Sequence, residues 1–173
     1  MIILIAGASH TGKTLLAQQL LEKYHYPYLS IDHLKMGLIR SGQTHLSVCD
    51  DDKLTAYLWP IVCEMVKTAI ENNQNLIVEG CYIPFDWESS FEQSYRAKIR
   101  AFWLIMTNNY IENHFDDISA HADAIETRIN HDGCNKQLLI EENQRNLEGC
   151  QRNSCQYVLI DKKYEIGEIL CLM

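Results

Sequence analysis

The chain opens MIILIAGASHTGKTLLAQQLL over residues 1–21, and the reading of this stretch decides the fold. Ile2-Ile3-Leu4-Ile5-Ala6 is an unbroken apolar run rich in β-branched residues, the pattern of a strand buried on both faces of a parallel sheet. From Lys13 to about Tyr24, Leu16, Ala17, Leu20, Leu21 and Tyr24 recur at helical spacing and form one apolar stripe. Between strand and helix, Gly7-Ala8-Ser9-His10-Thr11-Gly12-Lys13-Thr14 fits G-x-x-x-x-G-K-[ST], a loop whose backbone N–H groups cradle phosphates. A strand before the motif and a helix after it are the context it requires. A glycine turn that merely joined the two elements would leave Lys13 and Thr14 unexplained.

Working outward, a second strand is expected at Pro27–Ile31, ending at Asp32, followed by a short helix over His33–Ser41 with Gly42 as its stop. A longer helix is expected from about Lys53 to Asn72, interrupted or restarted at Pro60. Leu76-Ile77-Val78 reads as a short buried strand ending at Glu79-Gly80. Further strands are expected at Ile99–Met106 and Tyr157–Ile160. This alternation predicts an α/β domain with a central, mainly parallel sheet of about five strands in three layers. Right-handed crossovers put the strand C-termini on one edge, where ligands bind in such sheets. Gly7, Asp32 and Glu79 each follow a strand and therefore converge there. Residues 107–152 read as a polar helical insert, either a lid over the ligand or a static cap, within one domain spanning 1–173.

The loop sets the chemistry. Its amides and the helix N-terminus offer fixed partial positive charge to a triphosphate. Gly7, Ala8, Ser9, His10, Thr11 and Gly12 are the expected cradle. Lys13 is expected to reach the β- and γ-phosphates, and the Thr14 hydroxyl to bind Mg²⁺. His10 holds a variable position and carries no catalytic role. Phosphoryl transfer asks mainly for positioning and charge neutralisation. Asp32 is the leading second acid: it can orient a magnesium-bound water or take a proton from a substrate hydroxyl, or do neither and cap a helix. Glu79 is a third candidate, for a metal-bound water. Lys35 and Arg40 are candidates for holding an acceptor. Arg128 and Arg145 in the helical insert are candidates for neutralising the transferred group, although Glu141 one turn before Arg145 offers it a helix-surface pair. Trp59, Tyr57 and Trp87 suit core or rim packing better than an acceptor pocket.

Composition narrows the alternatives. The 173 residues carry a formal net charge of −8, which argues against broad binding to nucleic acid or to an anionic membrane. Seven cysteines are scattered without a C-x-x-C pair, so neither a disulfide framework nor a zinc site is expected. With no leader-like segment and no long apolar run, the expected location is the cytoplasm. Asn135-Lys136-Gln137-Leu138 lacks the aspartate of N-K-x-D, which disfavours a guanine-specific switch.

With these residues in place the chain resembles the P-loop small-molecule and nucleotide kinases. Ser30-Ile31-Asp32-His33-Leu34-Lys35 is similar to their second-strand segment facing the acceptor. Gly37-Leu38-Ile39-Arg40 resembles the adenylate-kinase segment whose arginine holds the acceptor nucleotide. Glu79-Gly80-Cys81-Tyr82-Ile83-Pro84 resembles the turn that in adenylate kinases continues to an arginine, but Phe85 stands here, which weakens a nucleoside monophosphate as acceptor. The broader pattern is similar to proteins grouped as 2-phosphoglycerate-kinase-like or adenylate-kinase-like. The resemblance implies ATP and Mg²⁺, closure of a lid, and transfer of the γ-phosphoryl group to a small acceptor. An ATP-dependent switch or hydrolase, and a kinase of the zeta-toxin type, share the loop and remain alternatives.

Overall fold

The computed structural model describes residues 1–48, 50–121 and 135–164. Five strands form one sheet: β1 (Ile2–Gly7), β2 (Tyr28–Ser30), β3 (Leu76–Glu79), β4 (Ile99–Met106) and β5 (Tyr157–Ile160). Their order is β2-β3-β1-β4-β5, and every pairing is parallel. Every residue of β1 is buried, as its apolar run demands for a strand with a neighbour on each side.

Side-chain alternation sends the strands into two cores. Ile2, Leu4 and Ala6 of β1 join Val78, Trp103 and Ile105 on one face, with Leu54, Leu58, Val62 and Val66 packed over them. Ile3 and Ile5 join Ile77, Leu104 and Met106 on the other, under Leu16, Ala17 and Leu20. The first face is covered by α2 (Ile31–Arg40) and α3 (Asp51–Glu71), the second by α1 (Lys13–Tyr24) and α5 (Asn108–Ala120). A single 3-10 turn at Trp87–Ser90 and the short α4 (Gln93–Arg96) lead into β4.

Two readings of the sequence are corrected here. Helix α2 begins at Ile31, so Asp32 lies in its first turn rather than ahead of it, and Ser30 is the N-cap. Helix α3 runs through Pro60 as a single 21-residue element instead of restarting there. Proline removes the N–H that would bond the carbonyl of Ala56, but both residues lie on the exposed side, so the lost bond is not a loss inside the core. Trp59, Val62, Cys63 and Val66 hold the opposite side in the core.

In the stretch 107–152, read as a lid or cap, the described residues form two helices packed on the domain. Helix α6 (Lys136–Asn153) starts beside the end of β4, where buried Asn143 Oδ1 accepts from Met106 N–H at 2.8 Å. It then follows the first face, with Cys150 in that core and Gly149 against the Phe85 ring. Leu139 belongs to the second core, so the helix ties the two together. Trp59 and Trp87 both pack on Phe91, and the Trp59 indole donates to Ser90 Oγ at 2.8 Å.

Candidate nucleotide and acceptor site

The loop from β1 to α1 is held in a conformation that its glycines permit. Gly7 has φ 139° and a Cβ there would lie 2.4 Å from the Leu104 carbonyl oxygen on β4. His10 and Gly12 both adopt left-handed backbone, at φ 62° and 81°. Ala8 O accepts two bonds, from Thr11 Oγ1 at 2.8 Å and from Lys13 Nζ at 2.7 Å. The Lys13 ammonium thus lies along the concave loop, against its own carbonyl, with only 6% of the residue exposed. Gly12 caps α1 without any side-chain bond, and the first turn holds no acid. The end of this helix therefore offers its amides and dipole to an anion.

One residue that sequence reading did not single out bonds to the loop. Tyr164, beyond β5, donates its hydroxyl to Gly12 O at 3.0 Å. A Cβ at Gly12 would lie 2.0 Å from that phenol oxygen, so any side chain there must displace the Tyr164 hydroxyl in addition to straining the left-handed backbone. Burial pushes the Tyr164 phenol well above its ordinary range, keeping it a donor.

On the other side, a chain of contacts leads from the loop to Asp32. Ser9 Oγ lies 3.9 Å from Cys81 Sγ, in the turn that follows β3. The next residue, Tyr82, is buried and uses its hydroxyl twice: it accepts from Lys35 Nζ at 3.0 Å and donates to Asp51 Oδ1 at 2.9 Å. Lys35 Nζ also pairs with Asp32 Oδ1. The same ammonium sits 5.0 Å from the centre of the Tyr82 ring, off its hydroxyl edge. Burial raises the Tyr82 phenol far above its ordinary value, with the Asp32 and Asp51 charges adding to the effect. It stays a neutral donor between two carboxylates.

Register places the remaining acids and hydroxyls. Glu79 at the end of β3 is level with Ile5 of β1 and Ser30 of β2, and its side chain is buried. By strand alternation Ser30 and Glu79 share the face that α1 covers. The Ser30 hydroxyl is buried, does not cap α2, and has no hydrogen-bond partner among the described residues. Thr14, in the first turn of α1, is half-buried. Ser30, Thr14 and Glu79 are oxygen donors, the chemistry that a hard divalent cation takes.

The other candidates lie further out. Arg40 is exposed in the last turn of α2. Arg145 is exposed on α6, and Glu141 accepts from Gln137 rather than from it. Arg128 falls outside the described residues. Phe85, standing where the resembling turn has arginine, stacks on Trp103 at 5.6 Å between ring centres.

No protein-family model and no curated protein matches the chain. Solved structures do. A sugar kinase from Janibacter sp. HTCC2649 aligns with a TM-score of 0.61 at 12% identity, covering 99% of this chain and 90% of that one. A candidate kinase from Chloroflexus aurantiacus gives 0.58 at 17% identity, covering 99% and 95%. Shikimate kinase from Aquifex aeolicus gives 0.53 at 17%, again covering 99% and 95%. At these identities the likeness is one of fold, and it runs the length of the chains. The five-stranded parallel sheet, its flanking helices and the glycine loop after β1 thus give this chain the fold of the P-loop small-molecule kinases.

Proposed function

We propose that the chain is an ATP-dependent phosphotransferase that moves the γ-phosphoryl group to a hydroxyl of a small acceptor. The observation that carries this reading is the unbroken path from Ser9 through Cys81 and Tyr82 to Lys35 and Asp32. It links Asp32, paired with Lys35, to the turn that touches the loop at Ser9.

In this reading the loop amides and Lys13 grip the triphosphate, Lys13 exchanging its Ala8 carbonyl for phosphate oxygens. Thr14, Glu79 and the Ser30 hydroxyl are the residues that would hold Mg²⁺ or its waters. The cation when bound neutralises charge on the β- and γ-phosphates. Asp32, oriented by Lys35, accepts the proton of the acceptor hydroxyl as its oxygen bonds to the γ-phosphorus. The bond from that phosphorus to the bridging oxygen breaks, and ADP leaves. Arg128 and Arg145 are the candidates for neutralising the group in flight, and alanine at each in turn assigns the role.

The test is ADP release and product formation with wild type, Lys13→Ala and Asp32→Asn. Lys13→Ala abolishes turnover. Asp32→Asn lowers the transfer rate by 10²-fold or more, on the order expected for loss of a general base, while triphosphate binding measured by calorimetry persists. Full phosphorylation by Asp32→Asn would remove Asp32 from the base role. Absence of acceptor-stimulated ADP release across a metabolite panel, with triphosphate still bound, would turn the assignment toward a switch or hydrolase.

A further inference from the structure

We infer, resting on the triphosphate-binding part of the reading above, that Tyr164 is a positioning residue for the phosphates: its bond to Gly12 O aligns and polarises the Lys13 backbone N–H, the first donor of α1. Gly12 O is used twice. It accepts from Leu16 N–H at 2.9 Å, the opening bond of the helix, and from the Tyr164 hydroxyl at 3.0 Å. The peptide joining Gly12 to Lys13 is trans, as are all described peptide bonds, so its N–H points away from the carbonyl that carries both bonds. Helix geometry leaves that N–H without an intrahelical partner, at the end that receives an anion. A hydrogen bond accepted by the oxygen of a peptide unit draws electron density from its N–H and strengthens that donor by about 10–30%. The phenol adds this effect to that of the helix bond, and holds the peptide plane against rotation.

The segment that delivers the phenol is tied down close by. Where β5 ends beside β4, Thr107 N–H donates to Ile160 O at 3.0 Å and Thr107 Oγ1 donates to Asp161 Oδ1 at 2.9 Å. The same Thr107 oxygen caps α5, accepting from Tyr110 N–H at 3.1 Å. Three residues beyond Asp161, the Tyr164 ring packs on the second core, whose buried members include Leu16, Tyr110 and Ile111. Ring and tether together fix where the hydroxyl stands, and it stands on the carbonyl of the N-cap residue of α1. Burial keeps the phenol protonated, so the bond persists at any pH below its ordinary range. Lys13 is then held at both ends of its contact with the phosphates, its ammonium by Ala8 O before the ligand arrives and its amide by Tyr164 through Gly12.

The experiment compares the full chain with Tyr164→Phe, which keeps the ring and removes the donor. In ¹⁵N-edited NMR spectra of the nucleotide-free protein the Lys13 amide proton is expected to move upfield in the variant, reporting a less polarised N–H. Tyr164→3-fluorotyrosine, a more acidic donor of nearly the same size, moves it downfield and keeps the question answerable should Tyr164→Phe fold poorly. A Lys13 resonance that does not follow this order overturns the inference, whatever the chain binds. Calorimetry with magnesium then measures ATP and inorganic triphosphate. Tyr164→Phe is expected to weaken both by the same factor, about two- to tenfold for one neutral hydrogen bond. Equal affinities in variant and wild type overturn the inference and leave the kinase reading standing. A loss for ATP that spares inorganic triphosphate assigns Tyr164 to the nucleoside and overturns it too. Absence of binding of either ligand by the wild type refutes the triphosphate reading, and the inference falls with it.

Discussion

Tyr82→Phe isolates the joint between the two carboxylates of the acceptor side. The phenol oxygen lies 3.0 Å from Lys35 Nζ and 2.9 Å from Asp51 Oδ1, and the residue is 5% exposed. Phenylalanine keeps the ring and its packing and deletes both bonds. A hydrogen bond to a charged partner contributes about 1.5–3 kcal/mol net. Asp51 is exposed, so water replaces the phenol there and that bond counts for little. Lys35 retains Asp32 but loses a buried acceptor. The expected loss is therefore about 2 kcal/mol, nearer one such bond than two. For a chain of this size that shifts the melting midpoint by roughly 4–8 °C. Urea denaturation checks it, the m value staying constant because no cavity opens. Tyr82→Phe combined with Lys35→Met should be less than additive by about 0.5 kcal/mol or more. A loss below about 0.5 kcal/mol for the single variant would refute the view that this phenol organises the site. The pH dependence has a definite sign. Tyr82 titrates higher in the folded chain than its ordinary 10.0, so its contribution is complete below that pH and is lost as pH rises toward the folded value. Stability of the wild type should fall on the alkaline side, and less steeply once Tyr82 is phenylalanine.

Three further outcomes are expected. Gly12→Ala adds left-handed strain of about 1–2 kcal/mol and drives a methyl into the Tyr164 hydroxyl, so triphosphate affinity by calorimetry should drop at least about tenfold; unchanged affinity would show that the loop relaxes around it. Gly149→Ala sets a methyl 2.4 Å from the Phe85 ring, and overpacking of this kind costs about 1–3 kcal/mol by urea denaturation with the loop untouched. Iodoacetamide at pH 8 should modify exposed Cys81 ahead of Cys63 and Cys150, whose thiols burial pushes up to about 11 and about 12. Bound triphosphate should slow labelling of Cys81 because Ser9 is its neighbour, and equal rates with and without nucleotide would contradict that adjacency.

The nucleotide half of the molecule was legible because its signals are local. The apolar run of β1, the motif and the stripe of α1 lie within 24 residues, and β4 and β5 have the bounds their apolar runs suggest. Pro60 misled because a proline's effect depends on whether the bond it removes lies inside the core, which needs the fold. The acceptor half was read as separate residues, Asp32, Lys35 and Glu79, with no account of what binds them. Tyr82 joins Lys35 across 47 positions, Tyr164 meets Gly12 across 152, and Asn143 reaches Met106 across 37. A tyrosine in a turn and an asparagine in a polar helix carry no periodicity that announces such partners. Their roles follow from topology.

The strand order also distributes tolerance to change. The glycine loop grows from β1, locked by ladders on both sides, whereas Asp32 and Lys35 lie on α2, which follows the three-residue β2 at the rim of the sheet. Substitutions at the rim reach β1 only by way of β3, across two ladders. On the kinase reading, residues facing the acceptor can therefore change without displacing the loop proposed to grip the triphosphate.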